Sequence, residues 1–197
     1  MFTVMRADRA GSEAREQIAR VFAEGFTQWL VFFSKDKNRI AKAFAHMFVL
    51  DQFYVAVSDG KVAAMASFTQ SEALPVRLDA KELRKHLGLF KGSLAAIFLK
   101  KEFERPPELP PSEACSIGLV GTAPEYRGQG AASQILRHLL DHFPHKVYVI
   151  DEVADTNIPA MRLYEKLGFT EYKRSAIPPK RAAQIGINYM VSLKYEK

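Results

Sequence analysis

Between Cys115 and Phe143 the chain reads CSIGLVGTAPEYRGQGAASQILRHLLDHF. Gly128, Gln129, Gly130, Ala131 and Ala132 make a turn with little side-chain bulk. Directly after it, Ala132, Ile135, Leu136, Leu139, Leu140 and Phe143 recur at helical spacing and commit one face to a core. The first amides of a helix have no acceptor within the helix, and the helix dipole adds positive potential there. A bare turn at that place is suited to hold a phosphate group. A dinucleotide is one candidate, because Gly128-x-Gly130 follows a strand, opens a helix and is followed by Asp151 at the end of the next strand. Against it stand the five residues Ala123 to Arg127 ahead of the first glycine, Ser133 at the third small position, and the lack of repeated βαβ units. No Gly-Lys-Ser/Thr follows the glycines, which excludes a Walker-type loop.

The elements that must position this turn are legible on both sides of it. Ser116 to Thr122 reads as the strand leading into the turn, which Pro124 opens. Upstream, residues 2–7 suggest a short first strand, and Ile18, Val21, Phe22, Phe26, Trp29, Leu30 and Phe33 predict one long amphipathic helix from Glu13 to Phe33. A second helix carries Ile40, Phe44, Met47 and Phe48. Phe53 to Ser58 and Lys61 to Thr69 predict a hairpin closed by Asp59-Gly60, a pair that tolerates the left-handed angles of a tight turn. Asp79 to Glu104 is helical in pattern, with Gly88 and Gly92 expected to split it, and the proline-rich Arg105 to Glu113 is a stiff connection. Downstream come a strand (146–153), a short helix (157–167) ended by Gly168, and a closing pair of strands (169–174 and 188–195). Pro178, Pro179, Lys180 and Arg181 lie in the loop between that pair.

Arg127-x-x-Gly130-x-Ala132, led in by Pro124-Glu125-Tyr126, resembles the Arg/Gln-x-x-Gly-x-Gly/Ala signature of the GCN5-related N-acetyltransferase (GNAT) superfamily. Asn157-x-x-Ala160-x-x-Leu163-Tyr164-x-Lys166-x-Gly168-Phe169 is similar to that family's second motif, in the right order and separated by a helix and a strand. The resemblance covers the chain from about Cys115 onward. It implies an α/β fold with a mixed, splayed central sheet flanked by helices, here with a helical insert (79–104) before the central strand. The whole of 1–197 is then a single domain, with 1–113 on the acceptor side and 114–197 carrying the acetyl-CoA motifs.

The resemblance also implies the chemistry. Acetyl-CoA is the donor co-substrate, its pyrophosphate resting on the amides of Gly128, Gln129, Gly130, Ala131 and Ala132, with Arg127 adding charge. Val120, Gly121 and Thr122 offer their backbone to the pantetheine arm, and Gly118 and Gly121 mark either a bulge or a packing kink. An amine attacks the thioester carbonyl, a backbone N–H of the strand stabilises the oxyanion, and Tyr164 protonates the departing thiolate. Asn157 contacts the cofactor arm, caps its helix, or does both. Glu113, Asp151, Glu152 and Glu72 are carboxylates near strand ends that could accept the amine proton. Glu152, on the strand beside the donor site, is the first choice of general base. Cys115 is expected to be buried and His138 exposed, neither of them catalytic.

Composition sets the remaining bounds. At 197 residues, 48% hydrophobic and 25% charged, the chain is long enough for one full core. A single cysteine excludes a disulfide framework and any clustered cysteine metal site. No metal is expected. No apolar run reaches the roughly 20 residues of a membrane span, so neither a membrane partner nor a location outside the cytoplasm is expected. The net charge of +6 is spread over scattered pairs, and no nucleic-acid motif accompanies it. The expected partner is a small-molecule or peptide amine, and the apolar insert offers a surface for a homodimer. A non-catalytic acyl-CoA-binding sensor or scaffold is the alternative to an acetyltransferase.

Overall fold

The computed structural model describes residues 1–197, the Gln28 side chain excepted. Seven strands form one mixed sheet: β1 (Thr3–Arg6), β2 (Phe53–Ser58), β3 (Lys61–Thr69), β4 (Cys115–Thr122), β5 (Val147–Ala154), β6 (Thr170–Ala176) and β7 (Tyr189–Glu196). Their order is β1-β2-β3-β4-β5-β7-β6, so the last strand of the chain lies inside β6. Every pair is antiparallel except β4 with β5.

Among the described residues seven helices cover the sheet. On one side α1 (Ala14–Gly25), the short α2 (Thr27–Leu30) and α3 (Lys37–Phe44) pack with α4 (Ala80–Leu87) and α5 (Leu89–Phe103). Phe22, Phe44, Phe48 and Phe53 are fully buried there, and Phe22 meets Phe44 and Phe48 at ring distances of 5.6 and 5.7 Å. On the other side α6 (Ala131–His142) and α7 (Ile158–Lys166) press Ile135, Leu136, Leu139 and Tyr164 against Ile117, Tyr148 and Ile150. The sheet thus separates two cores, each mixing aliphatic and aromatic side chains.

The expected hairpin is present with its predicted boundaries. The predicted long helix is not continuous. After Gly25 the backbone leaves helical geometry at Phe26 (φ −112°, ψ 17°), and α2 begins afresh. Gly88, at φ 85°, does separate α4 from α5. Gly92 instead lies inside α5, where any Cβ would come within 2.5 Å of the Arg84 Cα. It is the point at which α5 rests on α4. The loop expected after β6 contains a short helix, α8 (Pro179–Ile185), whose first-turn proline suits a helix start.

Candidate active site

Strand β4 carries the site because of a fault in its ladder. Met65 of β3 faces Gly121 and Ser67 faces Gly118, so the single residue Ala66 opposes two, Leu119 and Val120. The bulge puts Leu119 at φ 46°, a region that costs a branched side chain free energy and persists only where neighbours enforce it. The two glycines flanking it have their own packing reason. A Cβ on Gly118 would lie 3.0 Å from Ser67 Oγ, and one on Gly121 3.2 Å from Val21 Cγ1. Bulge and close approach therefore coincide.

The opposite edge of β4 is open. Only Cys115 and Ser116 pair with β5, opposite Tyr148 and Val149. Beyond them β5 keeps its ladder to β7 but has none to β4, so Ile117 to Thr122 present an unpaired edge to the gap. Val120, Gly121 and Thr122 all lie on it. A strand edge of this kind offers its N–H and C=O groups to any extended amide-bearing chain.

The edge runs into the turn. After a 3-10 turn at Pro124–Tyr126, Gly128 (φ 74°) and Gly130 (φ 83°) take left-handed conformations, and Gly130 caps α6 without any side-chain cap. Gln129 Nε2 donates to the Glu125 carbonyl at 2.7 Å and closes the turn on itself. Among the described residues no protein acceptor takes the amides of Gly130, Ala131, Ala132 or Ser133. A Cβ built on Gly128 or Gly130 would meet nothing within 4 Å. Ala131 and Ala132 are buried and fix α6 against the core, while Arg127 is exposed beside the turn. The geometry fits a diphosphate: free donors, positive potential, space above them and a cation at the side.

Tyr164 sits on α7 in the core beneath α6 and α7, 4% exposed and edge-on to Phe169 at 6.2 Å. Burial alone pushes its phenol well above the usual range, with no hydrogen bond offsetting the shift. The proton therefore stays on the oxygen at neutral pH. Asn157 caps α7, its Oδ1 accepting from Ala160 N at 3.3 Å. Of the alternatives for this residue, the cap is the one formed in the protein alone.

The carboxylates divide. Asp151 and Glu152 occupy a second bulge, the two residues between Ile150 and Val153 of β5 standing against the single Ser192 between Leu193 and Val191 of β7, with Glu152 at φ 57°. Asp151 Oδ1 accepts from the Tyr172 hydroxyl at 2.7 Å, while its Oδ2 is buried without a partner. Burial raises the Asp151 pKa, partly offset by the Tyr172 bond. Glu152 is ion-paired to Arg105, and Glu108 to Lys173 at 2.8 Å, so the proline-rich connection is tied to β5 and β6. Neither of these long-range pairs has a signature in the sequence. Glu72 and Glu113 lie elsewhere, on the exposed surface. Cys115 is fully buried, its thiol pushed up to about 11 by desolvation, which makes it a core residue and not a nucleophile. His138 is half-buried, stacked on His142 at 4.3 Å, and not the exposed residue expected.

Comparison with known families decides the assignment. The model of the acetyltransferase (GNAT) family matches residues 16–169, most of the chain. The chain belongs to that family. The GNAT match begins in α1 and so includes the N-terminal half, which carried no motif legible by eye. No curated protein sequence matches this one. Solved structures share the GNAT fold at low identity. An N-acetyltransferase from Staphylococcus aureus is 19% identical with TM-score 0.63, covering 98% of this chain and 100% of its own. A GCN5-related N-acetyltransferase from Kribbella flavida is 15% identical with TM-score 0.56, covering 100% and 98%. The ribosomal-protein-S18-alanine N-acetyltransferase from Escherichia coli is 14% identical with TM-score 0.55, covering 100% and 94%. At these identities the likeness is one of fold.

Proposed function

We propose that this GNAT protein transfers an acetyl group from acetyl-CoA to a primary amine by direct attack on the thioester. The observation that carries the reading is the continuity of the open β4 edge with the uncapped start of α6. One extended surface offers sheet-like pairing at Val120, Gly121 and Thr122, then phosphate-binding amides from Gly128 to Ala132, with Arg127 beside them. Bound there, acetyl-CoA supplies the activated acetyl group. The bulge at Leu119 and Val120 frees a backbone N–H from the ladder, a donor suited to charge developing on a carbonyl oxygen. Tyr164 holds a proton for the leaving sulfur. Glu152 takes the proton of the incoming amine.

A thermal-shift titration with acetyl-CoA, CoA and NAD tests the cradle. A ligand that binds only the folded state raises its stability with the logarithm of concentration over Kd. Acetyl-CoA and CoA are expected to raise Tm and NAD to leave it unchanged. A shift with NAD alone would overturn the proposal.

One observation favours the non-catalytic reading, a domain that binds acyl-CoA without transferring it: Arg105 covers the Glu152 carboxylate. The pair is, however, 45% and 37% exposed, and such surface pairs contribute only about 0–1 kcal/mol. A cationic amine could displace the guanidinium at small cost. Arg105→Ala is therefore expected to lower KM for an accepted amine with little change in kcat, read from thiol release in steady state. An unchanged KM would take Glu152 off the path of the amine.

A further inference from the structure

The helical insert carries a surface that acetyl transfer does not use. α5 has two apolar faces. Gly92, Ala95 and Leu99 are buried toward the protein, with Gly92 against the backbone of α4. On the outward side Leu89, Phe90, Ile97 and Phe98 are 79%, 75%, 68% and 63% exposed. Phe90 and Ile97 lie seven residues apart on one side of the helix and Phe98 widens the stripe, while Leu94 between them is half-buried against the core. Phe32, also exposed, extends the patch at the side of Lys91, whose Nζ lies 5.9 Å from its ring centre. Single exposed apolar residues are ordinary, but a cluster of this size marks an interaction site.

Charge identifies the occupant. From Leu83 to Lys101 the chain has no carboxylate and carries Arg84, Lys85, Lys91, Lys100 and Lys101. Lys85 is engaged by Glu82 at 3.3 Å on an exposed pair that a stronger anion would displace, and the exposed Lys100 lies 3.7 Å from the half-buried Glu104. Among the described residues Lys91 and Lys101 have no carboxylate partner. Phenylalanine, leucine and isoleucine exposed along a helix, with Lys91 beside them and Lys100 and Lys101 at its C-terminal end, match a helix lying in the interface of a bilayer.

We propose that the outward face of α5, with Phe32, seats this protein on an anionic phospholipid surface. A second copy of the chain fits less well. A 15-residue helix is about 22 Å long, too little by itself for the roughly 800 Å² per partner of a stable dimer. Pairing α5 with itself would also oppose Lys91, Lys100 and Lys101 of each copy with only Glu102 to offset them. No helix is long and apolar enough to cross a membrane, and the expectation of no membrane partner rested on that alone. Lying on a bilayer needs neither length nor uninterrupted hydrophobicity.

Co-sedimentation with vesicles tests this on the full chain. Vesicles of phosphatidylcholine with one third phosphatidylglycerol are expected to pellet the protein at least tenfold more than phosphatidylcholine alone, less so as salt is raised. The triple variant F90E/I97E/F98E is expected to stay in the supernatant while keeping its far-ultraviolet circular dichroism and its Tm shift with acetyl-CoA. K91E/K101E, which leaves the apolar stripe intact, should lose the preference for anionic vesicles. Absence of binding to anionic vesicles would overturn the proposal. So would a concentration-dependent dimer in sedimentation velocity that the triple variant abolishes, since the stripe would then belong to a second copy.

Discussion

Replacing Gly130 by aspartate is expected to weaken acetyl-CoA binding by about a thousandfold and leave the protein folded. Gly130 holds φ 83° at the start of α6, and a Cβ there meets no atom within 4 Å. Aspartate is among the few residues with a side chain that enter the left-handed region at modest cost. Its carboxylate would occupy the space above the free amides, where a phosphate is proposed to sit. Two unit charges about 4 Å apart at an effective dielectric constant near 20 repel by about 4 kcal/mol, or roughly three decades in Kd. Isothermal titration with CoA checks the number, and Gly130→Asn, of the same shape without the charge, separates repulsion from crowding. A CoA affinity untouched by aspartate would remove the phosphate from this turn.

Tyr164→Phe is expected to lower kcat by about a hundredfold or more, the usual contribution of a positioned general acid. KM for acetyl-CoA should change little, because the hydroxyl is not among the groups proposed to hold the donor. Stability provides the control. The Tyr164 side chain is 4% exposed and its hydroxyl has no hydrogen-bond partner among the described residues, so deleting it breaks no bond within the protein. The variant should melt at the same temperature as the parent or slightly above it. A full rate in a protein of unchanged Tm would leave Tyr164 as a packing residue of α7.

The parts of the site legible in the sequence are those made by local rules. The turn at Gly128 to Ala132 announces itself because small residues ahead of a periodic apolar run have few other uses. Asn157 and Gly168 punctuate α7 through caps written in the same few residues. The splayed sheet and the acetyltransferase family followed from two such motifs in order. What stayed hidden depends on residues distant in the chain. Arg105 reaching Glu152, Tyr172 reaching Asp151 and the insertion of β7 between β5 and β6 are set by how finished elements pack. Gly92 shows the same limit. By propensity it should break the helix, yet the approach of α4 makes it the one residue α5 can place there. Gly25 is the converse: the apolar period runs on past it, but the helix stops there.

The two residue pairs joining β4 to β5 are the whole of the ladder between the first four strands and the last three. The sheet is therefore two panels meeting at a short seam, with one core cluster running over both and the Tyr148 hydroxyl of β5 donating to the Phe143 carbonyl just after α6. A ligand lying along the open edge of β4 would add bonds at the place where the protein itself has fewest. Donor binding would then act as a staple, and the free energy that holds the cofactor would also hold the two panels together. The cleft is in this sense a fold left unfinished by its own chain and completed by its substrate.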